Sequence, residues 1–354
     1  MKIKSKKYLV PLILSVVFIF LVACSPREEE NTILETPYEQ TEFLMGTYVS
    51  LRVYDEGKEE AIDEAFARIE ELADKVTVNE PGSEMDKINQ AAGENSVSVS
   101  ADVYPLIQTA AKYSDLKNSG FDYTVGPITD LWRIGFDDAR VPEPAEIEAV
   151  LPLVDYKKVK LNDEDRSVYL TEAGMLLDLG AIAKGYIADE VAAVFKENGV
   201  TTGILDLGGN VVVMGDSPTR DTGGFNVGVQ DPFDQRGAYV GAINLSNKSI
   251  VTSGIYERYI EKEGEIYHHL MDPNTGYPFE NNLASVTIVS DLSIDGDALS
   301  TVVFGFGLEE GLEYVNAQED IEGIFITKDR EIYLSQGIDD DFSMTNELYT
   351  LIKE

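Results

Sequence analysis

Whatever metal this chain binds must be held mainly by oxygen. It has two histidines, the adjacent His268 and His269, and one cysteine, Cys24. An internal disulfide, a cysteine-based zinc site, cysteine–histidine catalysis in the body and a multi-histidine metal centre are therefore excluded. A metal held here would sit among carboxylates, hydroxyls and carbonyls, which suit magnesium, calcium or manganese. Four segments gather the reactive residue types. In Asp178-Leu179-Gly180-Ala181-Ile182-Ala183-Lys184-Gly185 an acid at a strand end precedes a tight turn and a helix. Free N–H groups at that helix start, with Lys184, could face an anion; an ordinary strand–helix turn with a solvated lysine fits the same spacing. Leu205-Asp206-Leu207-Gly208-Gly209-Asn210 holds paired glycines, which allow positive φ or close backbone approach, as a hairpin or bulge also would.

The third segment, Tyr267-His268-His269-Leu270-Met271-Asp272-Pro273-Asn274-Thr275-Gly276-Tyr277-Pro278, places both histidines before a turn. Neighbouring side chains of a strand point oppositely, so only one histidine can face a given site. The fourth is Ile294-Asp295-Gly296-Asp297-Ala298-Leu299-Ser300-Thr301. If Asp297 starts a helix, Thr301 lies one turn on, and the pair could share a hard cation. An N-cap formed by Asp295 or Asp297 suits the same residues.

The elements that must position these groups can be read from periodicity. Phe43 to Tyr54 alternates as a strand, and Lys58 to Val76 has helical apolar spacing. Further helices are expected over 101–117, 143–151, 183–198, 297–306 and 308–316. A hairpin joins 157–161 to 167–170, and short strands follow at 175–179, 203–207, 211–214, 225–229, 238–245, 249–252, 256–261, 285–289, 323–327 and 331–334. Helices lie early and strands late, without strict alternation. The pattern predicts an α+β fold of mixed, largely antiparallel sheets flanked by helices, and not a doubly wound parallel sheet.

With 354 residues, 44% of them hydrophobic, the chain can bury a large core. A net charge of −36 repels phosphate backbones, so nucleic acid is not an expected partner. The N-terminus combines a basic start, a roughly 15-residue apolar run (short of the ~20 that span a bilayer) and Leu21-Val22-Ala23-Cys24. The last four residues resemble the lipobox of bacterial lipoproteins. That resemblance implies removal of residues 1–23 and lipid attachment at Cys24. The protein would then be anchored at the outer face of the bacterial cytoplasmic membrane. A plain signal peptide or single-pass anchor with an incidental cysteine fits the same stretch. Residues 24–40 read as a tether and 41–354 as the folded domain.

Taken in order, the motifs resemble the ApbE family of FAD:protein FMN transferases. The resemblance rests on Phe43-Leu44-Met45-Gly46-Thr47, on Gly120-Phe121-Asp122 with Val125-Gly126-Pro127 and Leu131-Trp132, and on Asp178 with Lys184-Gly185-Tyr186. Leu207-Gly208-Gly209-Asn210, Thr252-Ser253-Gly254, His269-Leu270-Met271-Asp272-Pro273 and Asp297-Ala298 with Thr301 complete it. It implies an ApbE-like fold and an enzyme that uses FAD as substrate with Mg2+. A threonine hydroxyl of a target flavoprotein attacks the phosphorus on the FMN side, AMP leaves, and a phosphoester remains. It further implies Asp297, Thr301 and the Ala181 carbonyl as metal ligands. Met45, Gly120, Phe121, Asp122, Asp178, Lys184 and Leu270 are implied FAD contacts. His269 is the implied catalytic residue, with Asp297 or Asp295 as other candidate bases. Hydrolysis of FAD to FMN and AMP by the same site, or flavin capture by a non-catalytic lipoprotein, are the alternatives.

Overall fold

Hydrogen bonding at the N-terminal hairpin sets the edge of the main sheet. The computed structural model describes residues 32–352, apart from positions 79, 222, 339 and 340. Strand β1 (Ile33–Leu44) pairs antiparallel with β2 (Thr47–Asp55). The turn between them, Met45 (φ 53°) and Gly46 (φ 72°), is left-handed at both positions. That twist matches a two-residue hairpin. The single strand expected over Phe43–Tyr54 is thus two strands, folded back at Met45-Gly46. The expected tether is corrected too, because residues 33–40 belong to β1. Their apolar periodicity is weak because β1 is an exposed edge strand carrying Pro37 and several glutamates. Cys24 and the apolar run before it lie outside the described residues.

Helices α1 (Glu60–Val76) and α2 (Glu84–Gln90), strand β3 (Val97–Ser98) and helices α3 (Val103–Ser114), α4 (Gly126–Trp132) and α5 (Pro144–Val150) follow. Next come β4 (Val159–Asn162), β5 (Ser167–Leu170), α6 (Ala183–Glu197), β6 (Gly203–Leu207), β7 (Asn210–Met214), β8 (Phe225–Gln230) and β9 (Tyr239–Leu245). The chain continues through β10 (Lys248–Gly254), β11 (Tyr259–Lys262), β12 (Glu265–His268), β13 (Leu283–Ser290), α7 (Ser293–Phe306) and α8 (Leu308–Asn316). Strands β14 (Glu322–Thr327), β15 (Glu331–Leu334), β16 (Phe342–Met344) and β17 (Thr350–Ile352) complete the described chain.

The main sheet runs β1-β2-β6-β7-β10-β13-β14-β15-β17. Every pair in it is antiparallel except β15–β17. Strand alternation divides its side chains between two cores. Val212 of β7 and Leu205 of β6 pack under α1 and α6, against Phe66, Ile69, Leu72 and Phe195. Val213, Ile250 and Val289 face the other way, onto the small sheet β16-β9-β8. The fold is therefore α+β with largely antiparallel sheets, as expected. Among the described residues no helix is long and apolar enough to cross a membrane.

Helix α7 is the central helix, packed against α6, α8, α3, β10 and β13. Its small and apolar residues are buried on nearly every side, so it shows no polar stripe. It begins at Ser293, a turn earlier than expected, because Ser293 and Ile294 find N–H acceptors on Asp189. The strand expected over 175–179 is absent. The backbone N–H and carbonyl of Leu177 are met by the side-chain amide of Asn89, at 2.8 and 3.1 Å, in place of a neighbouring strand. Helices α2 and α4 are absent from the periodicity reading because seven-residue helices offer too few repeats.

His268 shows how the two histidines part. It ends β12, is buried, and meets Phe304 edge-on at 5.9 Å. Its Nε2 lies 3.2 Å from the Phe279 carbonyl, so Nε2 carries the hydrogen, and Nδ1 is buried with no partner. Burial lowers its pKa to about 4. An unfolded histidine titrates near 6.5, so His268 contributes fully above that pH and loses its contribution as pH falls towards 4. We expect urea unfolding between pH 6.5 and 4.5 to cost wild type on the order of 2 kcal/mol more than His268→Gln. Parallel losses in the two proteins would exclude this origin of acid sensitivity.

Candidate active site

The site is built where the start of α6 meets the second turn of α7. Gly185 makes the meeting possible. A Cβ there would lie 2.2 Å from the Ser293 carbonyl oxygen and 2.7 Å from the Asp297 Cβ. The bare backbone instead lets the Gly185 N–H donate to Asp297 Oδ2 at 2.8 Å. Asp297 is 5% exposed, and among the described residues no lysine or arginine pairs with it. Its charge is stabilised by an N–H at the positive end of α6. Thr301 lies one turn further along α7 on the same face and is 9% exposed. Asp297 is therefore a mid-helix carboxylate and not an N-cap.

That cap is supplied by Asp189, which the sequence reading did not single out. Its two oxygens accept from Ser293 N (2.8 Å) and Ile294 N (2.9 Å). Burial pushes its carboxyl up to about 6, against these bonds, so it is ionised at neutral pH. Asp295, the other acid of the segment, accepts from the Tyr113 hydroxyl at 2.5 Å.

Two further motifs join at the same helix start. Lys184 Nζ donates to Asn210 Oδ1 at 2.6 Å, linking α6 to the beginning of β7. Asn210 is 1% exposed, and its Nδ2 has no hydrogen-bond partner. The Gly208-Gly209 turn before it has φ values of 65° and 102°. A Cβ on Gly208 would lie 2.2 Å from Thr47 Oγ1, so this turn packs directly against the Met45–Thr47 turn.

His269 follows β12 and is half-buried. Its Nδ1 lies 3.3 Å from the Arg258 carbonyl, so Nδ1 carries the hydrogen and Nε2 is left as an acceptor. Burial first, then the nearby Arg258 cation, hold its pKa well below the usual histidine range, with a smaller contribution from Lys184. The imidazole is neutral at physiological pH. The next residue, Leu270, is buried and accepts from Phe279 N through its carbonyl at 3.0 Å.

The remaining expected contacts organise the neighbouring loops. Gly120 lies against Phe279 and Gly305, where a Cβ would approach to 2.6 and 3.0 Å. Phe121 is buried, edge-to-face with Tyr113 at 6.5 Å. The Asp122 carboxylate is engaged by Thr124 N and Oγ1 and by Tyr156 N, at 2.6–3.2 Å, and burial raises its pKa. Asp178 accepts from Thr129 Oγ1 (2.7 Å) and Gly180 N (2.8 Å), and its own N–H meets the Tyr123 carbonyl. Ala181 lies in the turn that enters α6. The structure thus brings Lys184, Asp297 and Thr301 to one helix junction, with His269 close enough to Lys184 to feel its charge, while Met45 lies on the turn that packs against Gly208. The carboxylates of Asp122 and Asp178 are engaged by their own turns and by Tyr156 N and the Thr129 hydroxyl respectively.

The donor set fits a hard cation. Among the described residues no three His, Cys, Asp or Glu side chains cluster as a metal site. A buried carboxylate without a cationic partner, a hydroxyl one turn on, and a carbonyl offer instead the mixed oxygen ligands that magnesium accepts beside phosphate.

Comparison with known proteins gives this junction a family. Residues 45–325 match the ApbE family. The FAD:protein FMN transferase of Klebsiella pneumoniae (strain 342) is 40% identical over 315 residues, covering 89% of this chain and 97% of that one. The Treponema pallidum (strain Nichols) enzyme of the same name is 32% identical, covering 89% and 91%. A crystal structure of an ApbE protein from Thermotoga maritima superposes with a TM-score of 0.79 at 30% identity, over 85% of this chain and 98% of that one. The flavin transferase ApbE of Vibrio cholerae gives 0.76 at 25% identity, over 86% and 98%. The protein belongs to the ApbE family.

The helix junction tolerates no side chain at Gly185. Gly185→Ala should cost about 1–3 kcal/mol in urea unfolding, as overpacked sites do. An unchanged midpoint would contradict the close α6–α7 crossing.

Proposed function

We propose that the protein is an FAD:protein FMN transferase that needs Mg2+ and attaches FMN to a threonine hydroxyl of a target flavoprotein. The observation that carries this reading is the placement of Asp297 and Thr301 on one face of α7, opposite the start of α6 that carries Lys184, whose charge is also felt by the neutral His269. The relatives' shared activity supports it.

Asp297, Thr301 and the Ala181 carbonyl would hold the metal. A bound Mg2+ would supply charge neutralisation at the pyrophosphate and at the leaving AMP. The chain's own groups do the rest. Lys184, oriented by Asn210, presents an ammonium to phosphate. The unpartnered Asn210 Nδ2 is a donor, matching an anionic ligand. His269, with its hydrogen on Nδ1, presents Nε2 to the acceptor hydroxyl and takes its proton as the new P–O bond forms. The bond to the AMP oxygen breaks, and the proton leaves with AMP or to solvent. An isolated imidazole of such low proton affinity is a weak base. A pyrophosphate bound beside it would raise that affinity. Asp295 is already engaged with Tyr113, and Asp297 with the Gly185 N–H. With Asp297 assigned to the cation, His269 is taken as the base.

We further propose lipid attachment at Cys24, which would hold the domain at the outer face of the cytoplasmic membrane, within reach of membrane-bound acceptors.

The test is incubation with FAD, Mg2+ and a candidate acceptor, following AMP and the acceptor's intact mass. AMP with an FMN-sized gain supports the transferase. AMP and free FMN without labelling point to hydrolysis. Asp297→Ala should abolish the Mg2+-dependent turnover, and full retention would refute the metal assignment. His269→Ala should lower kcat by about 10²–10⁴-fold while FAD affinity changes little. A change in affinity alone would remove the base role. Cys24→Ser should move the protein from the membrane pellet to the supernatant, and continued pelleting would exclude lipid anchoring.

A further inference from the structure

Helices α6 and α7 are joined rung by rung. Gly185 and Asp189 lie one turn apart on one face of α6, and Ser293 and Asp297 lie one turn apart on α7. Gly185 N–H bonds Asp297 at 2.8 Å, and Asp189 bonds the N–H groups of Ser293 and Ile294 at 2.8 and 2.9 Å. The rungs run in opposite order, Gly185 with Asp297 and Asp189 with Ser293, so the helices are antiparallel. Ala181 lies in the turn that leads into α6, and Thr301 lies one turn beyond Asp297 on α7. These are two of the three groups assigned above to the cation.

Asp189 supplies what α7 cannot supply for itself. Leu292, the residue before the helix, has no capping side chain. The Ser293 and Ile294 N–H groups belong to the first turn, which has no intrahelical acceptor. Both carboxylate oxygens of Asp189 are needed, one for each N–H. A neutral amide has only one acceptor oxygen. Asp189 itself makes no bond to Ala181, Asp297 or Thr301.

We infer that Asp189 is a positioning residue for the divalent-cation site. It clamps the start of α7 to α6 in the register that makes the Ala181 carbonyl, Asp297 and Thr301 converge. This rests on the metal assignment made under the proposed function. If Asp189 were only a stabilising cap, its loss would lower the melting temperature and leave cation affinity unchanged.

Electron paramagnetic resonance of Mn2+, titrated into the full chain in detergent with saturating FAD, separates the two. Thermal melts of the same samples report folding. Asp189→Ala should weaken Mn2+ binding by about tenfold or more, as loss of a ligand-orienting partner does. Asp189→Asn should fall between it and wild type, and FAD affinity at saturating Mn2+ should stay within about twofold. If the alanine variant does not fold, the asparagine variant decides. Mn2+ affinity within twofold of wild type, together with a lowered melting temperature, would overturn the inference. Asp297→Ala is the control for the underlying assignment. If it binds Mn2+ as tightly as wild type, the metal site is misplaced and the positioning role falls with it. If Asp297→Ala loses Mn2+ while both Asp189 variants keep it, the positioning role alone is wrong.

Discussion

The close crossing of α6 and α7 at Gly185 is the constraint on which the site depends. Two helix backbones can approach until a carbonyl stands where a Cβ would be only if one of them lacks a Cβ. The approach lets a backbone N–H, and not a side chain, satisfy the buried Asp297. A carboxylate held by a lysine would be neutralised and its oxygens occupied. Held by a single amide on Oδ2, Asp297 keeps its other oxygen for a ligand. The same crossing aligns Thr301 behind it and places Lys184, at the next position from Gly185, towards Asn210.

The rest of the fold supplies the rigid surroundings of that crossing. Helix α7 is buried between α6, α8 and the centre of the main sheet. Strand β13, buried along its whole length, forms part of the floor beneath it. The turns at Met45-Gly46 and Gly208-Gly209 pack together because β2 and β6 are neighbours in register, Val49 opposite Leu207. Loop geometry at the site is therefore set by strand pairing, which is less mobile than the loops themselves.

Much of this was legible in the sequence, and the reasons for the remainder are physical. The long amphipathic helices α1 and α6 and the late strands follow from their periodicity. Motif order singled out Lys184, His269, Asp297 and Thr301, and the structure sets Lys184 and Asp297 on either side of the α6–α7 contact at Gly185. The spacing of His268 and His269 correctly implied that only one could face the site. The strand reading over 175–179 failed because Leu177 is paired by an asparagine side chain from a distant helix, which periodicity does not record. The N-cap reading of Asp297 failed because its helix is capped from another helix by Asp189. The i, i+4 spacing of Gly185 and Asp189 was visible, but its meaning required the partner helix. Edge strand β1 was mistaken for tether because an exposed edge needs little apolar residue.

The separation of the two histidines makes the molecule unusually easy to observe. No other imidazole is present in the chain. One ring stands against Phe304 in the interior, and the other lies beside Arg258. A proton spectrum of the imidazoles therefore contains two sets of ring resonances with separate meanings. The first records whether the core is intact, and the second records changes around Arg258 and Lys184, without a label or a foreign reporter.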